Sequence, residues 1–142
     1  MGSRTRRALA VVAILLAVAA VAVRWWWRPQ IGRVQRGWTV ASRKGCFACH
    51  GPGGIRGMAD PGHGLDEVPP FAGGLITMYA QSEGEIREWI LDGRPGRLQQ
   101  SRIARFYLDR APIQMPAYRG HLEPAEVDRL VDYVHWVRAH PY

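Results

Sequence analysis

Cys46-Phe47-Ala48-Cys49-His50 is the stretch that decides the reading of this chain. C-x-x-C-H is the attachment pattern of c-type haem, and each position in it has its own chemistry. Two thiols three positions apart can each form a thioether to one vinyl side of the same porphyrin. The histidine that follows then lies under the ring with an imidazole nitrogen aimed at iron. An axial histidine alone holds haem in reversible sites, so the cysteine pair marks covalent attachment. These are the only two cysteines in the chain, which leaves none for a disulfide framework or a four-cysteine zinc site. Two other uses of the pattern fit less well. A thioredoxin-like pair sits in a βαβ unit, whereas the flanks here are helical and rich in glycine. A zinc site would have to recruit His50 and His63, at a spacing that no common structural finger uses.

The 142 residues suffice for one domain and an appendage. The appendage comes first. Arg4, Arg6 and Arg7 precede an unbroken apolar run from Ala8 to Val23, and Trp25, Trp26 and Trp27 follow it. As a helix, Ala8 to Trp27 spans about 30 Å, the thickness of a bilayer core. The tryptophans read as an interfacial belt, and Arg24 can snorkel to the same level. A cleaved secretory signal is the competing reading, with small residues in A-x-A spacing at Ala17–Ala19 or Ala20–Ala22. Cleavage there would leave three consecutive tryptophans at a free N-terminus, which favours a retained anchor. The expected organisation is an anchor over 1–27, a connector over 28–36 and a haem domain over 37–142.

The chain carries 19 basic and 12 acidic residues, a formal charge of +7. Four of the cations lie in the anchor and all the acids lie beyond it, so the domain from Arg28 onward is only +3. That is too mild for a nucleic-acid footprint.

Along the domain, a helix is expected from Gly32 to Lys44, stopped by Gly45. Residues 51–74 are broken by glycine and proline. Ser82-x-x-Glu85 reads as a capping box opening a helix with Ile86, Trp89 and Ile90 on one face. Gly93 ends that helix, and Pro95 argues against an immediate restart. A further helix is expected over Gln99–Leu108, then an extended loop over Pro112–Gly120. The last helix starts at Pro124, with Glu126 in its first turn, and buries Val127, Leu130, Val131, Val134 and Val137. No strand pattern stands out, so the class is all-α.

Gly37 to Ala139 resembles the class I c-type cytochromes. Gly37 to Cys46 is similar to the family's N-terminal helix running into G-C-x-x-C-H-G, and Tyr133 stands where the C-terminal helix carries an aromatic residue beside a glycine. A glycine lets two helices cross closely, and a ring can fill the adjoining space. Ala41 stands where an aromatic residue is common. The resemblance implies a cytochrome c-like domain with crossed N- and C-terminal helices around one covalent haem c. Met115-Pro116-Ala117-Tyr118 resembles the family's axial-methionine loop, which makes His50 the proximal and Met115 the distal iron ligand. Met58 follows His50 too soon to reach the opposite face, and Met78 is expected in the core. His121 is the competing ligand, with His63 expected in solvent and His135 and His140 at the surface of the last helix. Pro69 or Pro70 matches the family's proline whose carbonyl accepts from the proximal histidine, and Pro70 is taken as that residue. Trp89 is expected to line the pocket or to donate to a propionate.

Haem attachment outside the cytoplasm, which the resemblance implies, conflicts with a simple count of flanking arginines. The attachment chemistry is given precedence. The expected setting is a bacterial cytoplasmic membrane crossed once, with the domain facing the periplasm or exterior. No catalytic triad, carboxylate pair or phosphate loop accompanies the haem motif. The expected function is single-electron transfer between extracytoplasmic redox partners, not enzymatic catalysis. Alternatives are a fixed subunit of a respiratory or photosynthetic oxidoreductase and, further off, a peroxidase or gas sensor. Arg94, Arg97, Arg102, Arg105 and Arg110 form either a solvated face, propionate partners or a docking surface for an acidic redox protein.

Overall fold

Helix α1 covers Ser3–Arg43 in the computed structural model, which describes residues 2–59 and 67–140. The chain divides into two units, 1–33 and 34–142. In the first, the large apolar side chains are exposed, Leu15, Val18 and Trp25 among them. This is the one helix among the described residues long and apolar enough to cross a membrane, and a signal sequence passes the same test. Pro29 lies within α1, so the backbone of the expected connector over 28–36 is helical. A proline removes one helical N–H and crowds one carbonyl, yet the helix continues past it.

The second unit is built on the crossing of the last turns of α1 with α7 (Pro124–Ala139). Gly37 makes the crossing: a Cβ there would lie 2.1 Å from the Arg129 carbonyl oxygen and 2.6 Å from Tyr133 Cβ. Below the crossing, α7 buries Val127, Leu130, Val131, Val134 and Val137, the stripe its periodicity predicts. Its N-terminus is a capping box between Glu123 and Glu126, and Glu126 also pairs with Arg43. The Tyr133 ring meets Phe47 and Phe71 edge-on, and its hydroxyl donates to the Gly53 carbonyl at 2.9 Å. Ala41 is fully buried against this core.

Helix α1 ends in a glycine motif. Gly45 takes φ 75°, its N–H bonds Ser42, and the Cys46 N–H reaches back to Ala41 at 3.0 Å. This left-handed cap satisfies the last carbonyls and turns the chain into α2 (Phe47–His50). Beyond a 3₁₀ turn at Pro52–Gly54, β1 (Met58–Ala59) pairs antiparallel with β2 (Glu67–Val68). Two-residue strands are too short for an alternating pattern to reveal them. Helix α3 (Leu75–Tyr79) follows, one turn long and also unsignalled.

Helix α4 (Glu83–Asp92) has the boundaries expected of it. Ser82 Oγ accepts from the Glu85 N–H, and Gly93 closes the helix in the left-handed conformation. The reciprocal half of the box is shifted by one residue, because Glu85 accepts from the Gln81 N–H. The helix expected over Gln99–Leu108 is two helices, α5 (Gly96–Gln100) and α6 (Arg102–Leu108). Ser101 divides them: its extended backbone breaks the ladder and its hydroxyl caps α6 at the Ala104 N–H. The chain is non-helical over Gly93–Pro95, as expected, and α5 starts directly after it, because Pro95 lends α5 a preset extended N-cap and needs no N–H there.

Arg97 reaches back from α5 to Glu85, at 2.6 Å. That hydrogen bond, then the Gln81 N–H, holds the Glu85 carboxyl below the usual glutamate range. A depressed folded-state pKa contributes stability above the unfolded value and loses it as pH falls through the folded one. Glu85→Gln is therefore expected to be less stable than wild type near neutrality, with the difference shrinking as pH drops below about 4. Chemical denaturation across that range checks it, and a difference independent of pH would refute the ionic contribution.

Candidate functional site

Helix α2 sets the reactive residues. Cys46 caps it and Cys49 lies three positions on, so both thiols occupy one face, with His50 adjoining. Both cysteines are free and partly buried, and burial pushes the Cys46 thiol pKa up despite a backbone hydrogen bond. The His50 ring packs against Phe71, with centroids 4.6 Å apart. Its Nδ1 lies 2.8 Å from the Pro69 carbonyl oxygen. A carbonyl can only accept, so Nδ1 carries the proton and Nε2 keeps its lone pair for a metal. Burial lowers the His50 pKa, which favours the neutral ligating form, although the Pro69 bond opposes that shift. The acceptor is Pro69, not Pro70: adjacent carbonyls point in different directions, and Pro70 instead lies against Gly57.

Cys46, Cys49, His50, Trp89 and Met115 all line one cavity of about 580 Å³, within the usual range for cofactor sites. Its walls are largely apolar, with Phe71, Ile86, Ile90, Leu108 and Val134 among them. Trp89 lines it as expected, but its indole N–H donates to the Tyr79 carbonyl at 2.9 Å and is not free for a propionate.

The Met115 segment is clipped to the end of α4. The Tyr118 and Arg119 N–H groups bond the Ile90 and Leu91 carbonyls at 3.1 and 2.9 Å, and Arg119 makes a two-point pair with Asp92. Gly93 has no Cβ to keep the Met115 carbonyl away; one built there would lie 2.6 Å from that oxygen. On the other side, the Tyr118 hydroxyl donates to the Lys44 carbonyl and the Lys44 ammonium to the His121 carbonyl. The loop is thereby tied both to α4 and to Lys44, two residues before Cys46.

The other ligand candidates separate cleanly. Met58 and Met78 are exposed and absent from the cavity wall, so the core position expected for Met78 is corrected. One-turn α3 leaves its side chain facing out. His121, His135 and His140 are exposed, and His63 lies outside the described residues. No cluster of three metal-binding side chains exists among the described residues. In the arginine stretch, Arg94 pairs with Asp109 at 2.5 Å, Arg97 with Glu85, and Arg110 lies over the Phe106 ring. Sequence reading missed Arg138, which also lines the cavity.

Two thiols, a neutral imidazole with a free ring nitrogen, and a methionine around an apolar cavity of this size fit a covalent haem. Together with the helical architecture they define a single-haem c-type site. The cytochrome c family model matches residues 34–138, and the chain belongs to that family. Its cofactor is one covalent haem c, for which Cys46 and Cys49 supply the attachment motif, and its chemistry is haem-based electron transfer with redox partners. No curated protein and no solved structure matches the chain significantly.

Proposed function

We propose that this chain is a membrane-anchored electron carrier with His/Met-ligated haem, held by thioethers at Cys46 and Cys49. The convergence of His50 and the clipped Met115 loop on one cavity carries the reading. The haem supplies a one-electron couple, and His/Met ligation sets it high. The chain's residues do the rest. Pro69 fixes the imidazole and its tautomer, which strengthens the ring as a donor. Apolar walls exclude water, and the two ties on the loop hold the thioether in place against solvent. Residues 1–27 keep the domain at the membrane, facing the periplasm or exterior, where a high local concentration replaces free diffusion to its partners.

Spectra of the full chain, oxidised and reduced, with and without carbon monoxide, test this. Covalent haem with a methionine–ferric charge-transfer band and no binding of carbon monoxide is expected. Met115→Ala should lose the band and bind the gas quickly. Immediate binding by the wild type would instead make Met115 a loose ligand and favour a peroxidase or gas sensor.

One observation favours a second reading. Ile103, Phe106 and Tyr107 on α6 are 74%, 53% and 56% exposed, an apolar face suited to a permanent neighbour. A fixed subunit of a larger oxidoreductase would have it covered. Stoichiometric co-purification with large membrane subunits in mild detergent would establish that arrangement.

A further inference from the structure

We propose that Arg138 receives a carboxylate of the haem, one of its two propionates, and thereby sets both the seating and the potential of the group; this rests on the haem reading given above. Arg138 stands in the last turn of α7, on the wall of the cavity that holds Cys46, His50 and Met115. Its Nε is buried and has no hydrogen-bond partner, alone in that respect among the described residues. Among the described residues its only hydrogen bond is from Nη2 to the Ala80 carbonyl at 3.5 Å, the outer limit for such a bond. No described carboxylate lies within ion-pair distance of it. Burial also lowers its pKa, the direction expected of a cation lacking a counter-charge.

A guanidinium left in this condition costs stability unless an anion arrives. Several of the cavity's other polar groups are engaged. Asp92 is held by Arg119, Arg94 by Asp109, and the Trp89 indole by Tyr79. Arg105 also borders the cavity but is exposed, where water solvates it. A haem c brings carboxylates to an otherwise apolar pocket, and the planar fork of arginine matches a carboxylate with two parallel bonds. A cation there disfavours the ferric state, which carries one more positive charge than the ferrous state.

The test compares wild type, Arg138→Gln, Arg138→Lys and Arg105→Gln as full-length holoproteins, by redox titration and by the propionate bending band in resonance Raman spectra. Arg138→Gln is expected to shift the ferric-to-ferrous ratio at fixed applied potential several-fold toward ferric and to move that band. Arg138→Lys should keep most of the ratio and still move the band, because one ammonium replaces a two-point fork. If Arg138→Gln does not accumulate, Arg138→Lys decides alone: an unmoved band overturns the proposal. So does a wild-type ratio and band in Arg138→Gln, or a band that answers to Arg105→Gln instead. Failure of the underlying reading looks different, since wild type would then lack covalent haem or bind carbon monoxide at once.

Discussion

Gly37→Ala is expected to destabilise the haem domain by about 3 kcal/mol or more, measured as a fall in the denaturation midpoint of the holoprotein. One methyl group has this effect because it meets backbone. The built Cβ lies 2.1 Å from the Arg129 carbonyl oxygen, which no rotamer change can relieve. Either α1 and α7 separate, losing contacts around Val40, Leu130 and Tyr133, or the α7 backbone bends. A loss of that size is a large part of a small domain's total stability of about 5–15 kcal/mol. Gly84→Ala is the control. Gly84 lies in α4 with only the Ser82 hydroxyl at an ordinary 3.6 Å, so helix propensity should leave that variant as stable as wild type or slightly more so. If both substitutions prove equally mild, the crossing is not as close as described.

The second large effect falls on Met115, the proposed distal ligand, and not on the fold. On the proposed His/Met ligation, Gly93→Ala should weaken the bond from Met115 to iron, seen as fading of the methionine charge-transfer band and as binding of carbon monoxide. Gly93 has φ 72°, where a side chain costs about 1 kcal/mol. Its Cβ would also press on the Met115 carbonyl at 2.6 Å. Backbone at the ligand itself must then move, while Tyr118 and Arg119 remain bonded to α4. Gly73→Ala separates the two contributions: φ is 96° but nothing lies within 4 Å of the added carbon. That variant should lose some stability and keep its spectrum. A full charge-transfer band in Gly93→Ala would mean that the contact does not position the ligand.

Both glycines could be picked out from sequence, but for different reasons. Gly93 follows a periodic helix that Ser82 opens, so its capping role was legible; its contact with Met115, 22 positions away, was not. Gly37 and Tyr133 were legible together through family resemblance, and their contact follows from the crossing. The C-x-x-C-H segment and the α7 stripe were legible because their information is local. Misreadings cluster where a single dihedral or a distant neighbour decides. Which of two adjacent prolines aims its carbonyl at His50 is a matter of backbone direction. Ser101 could equally have sat inside a helix, and only its cap divides α5 from α6. Arg138 is one cation among many in the sequence, and its burial becomes visible only with α7 docked.

The two ties on the Met115 loop make residues 94–114 an excursion with pinned ends. The chain leaves α4 at Gly93 and returns to its last turn through Tyr118 and Arg119. Closing a longer or shorter excursion between fixed ends changes the entropy only slowly with length. Evolution can therefore rewrite the outer face of α6, with its exposed Ile103, Phe106 and Tyr107, while the sulfur stays over the same cavity. The same separation would let a designer graft a new recognition surface onto that outer face and leave the electron's resting place unchanged.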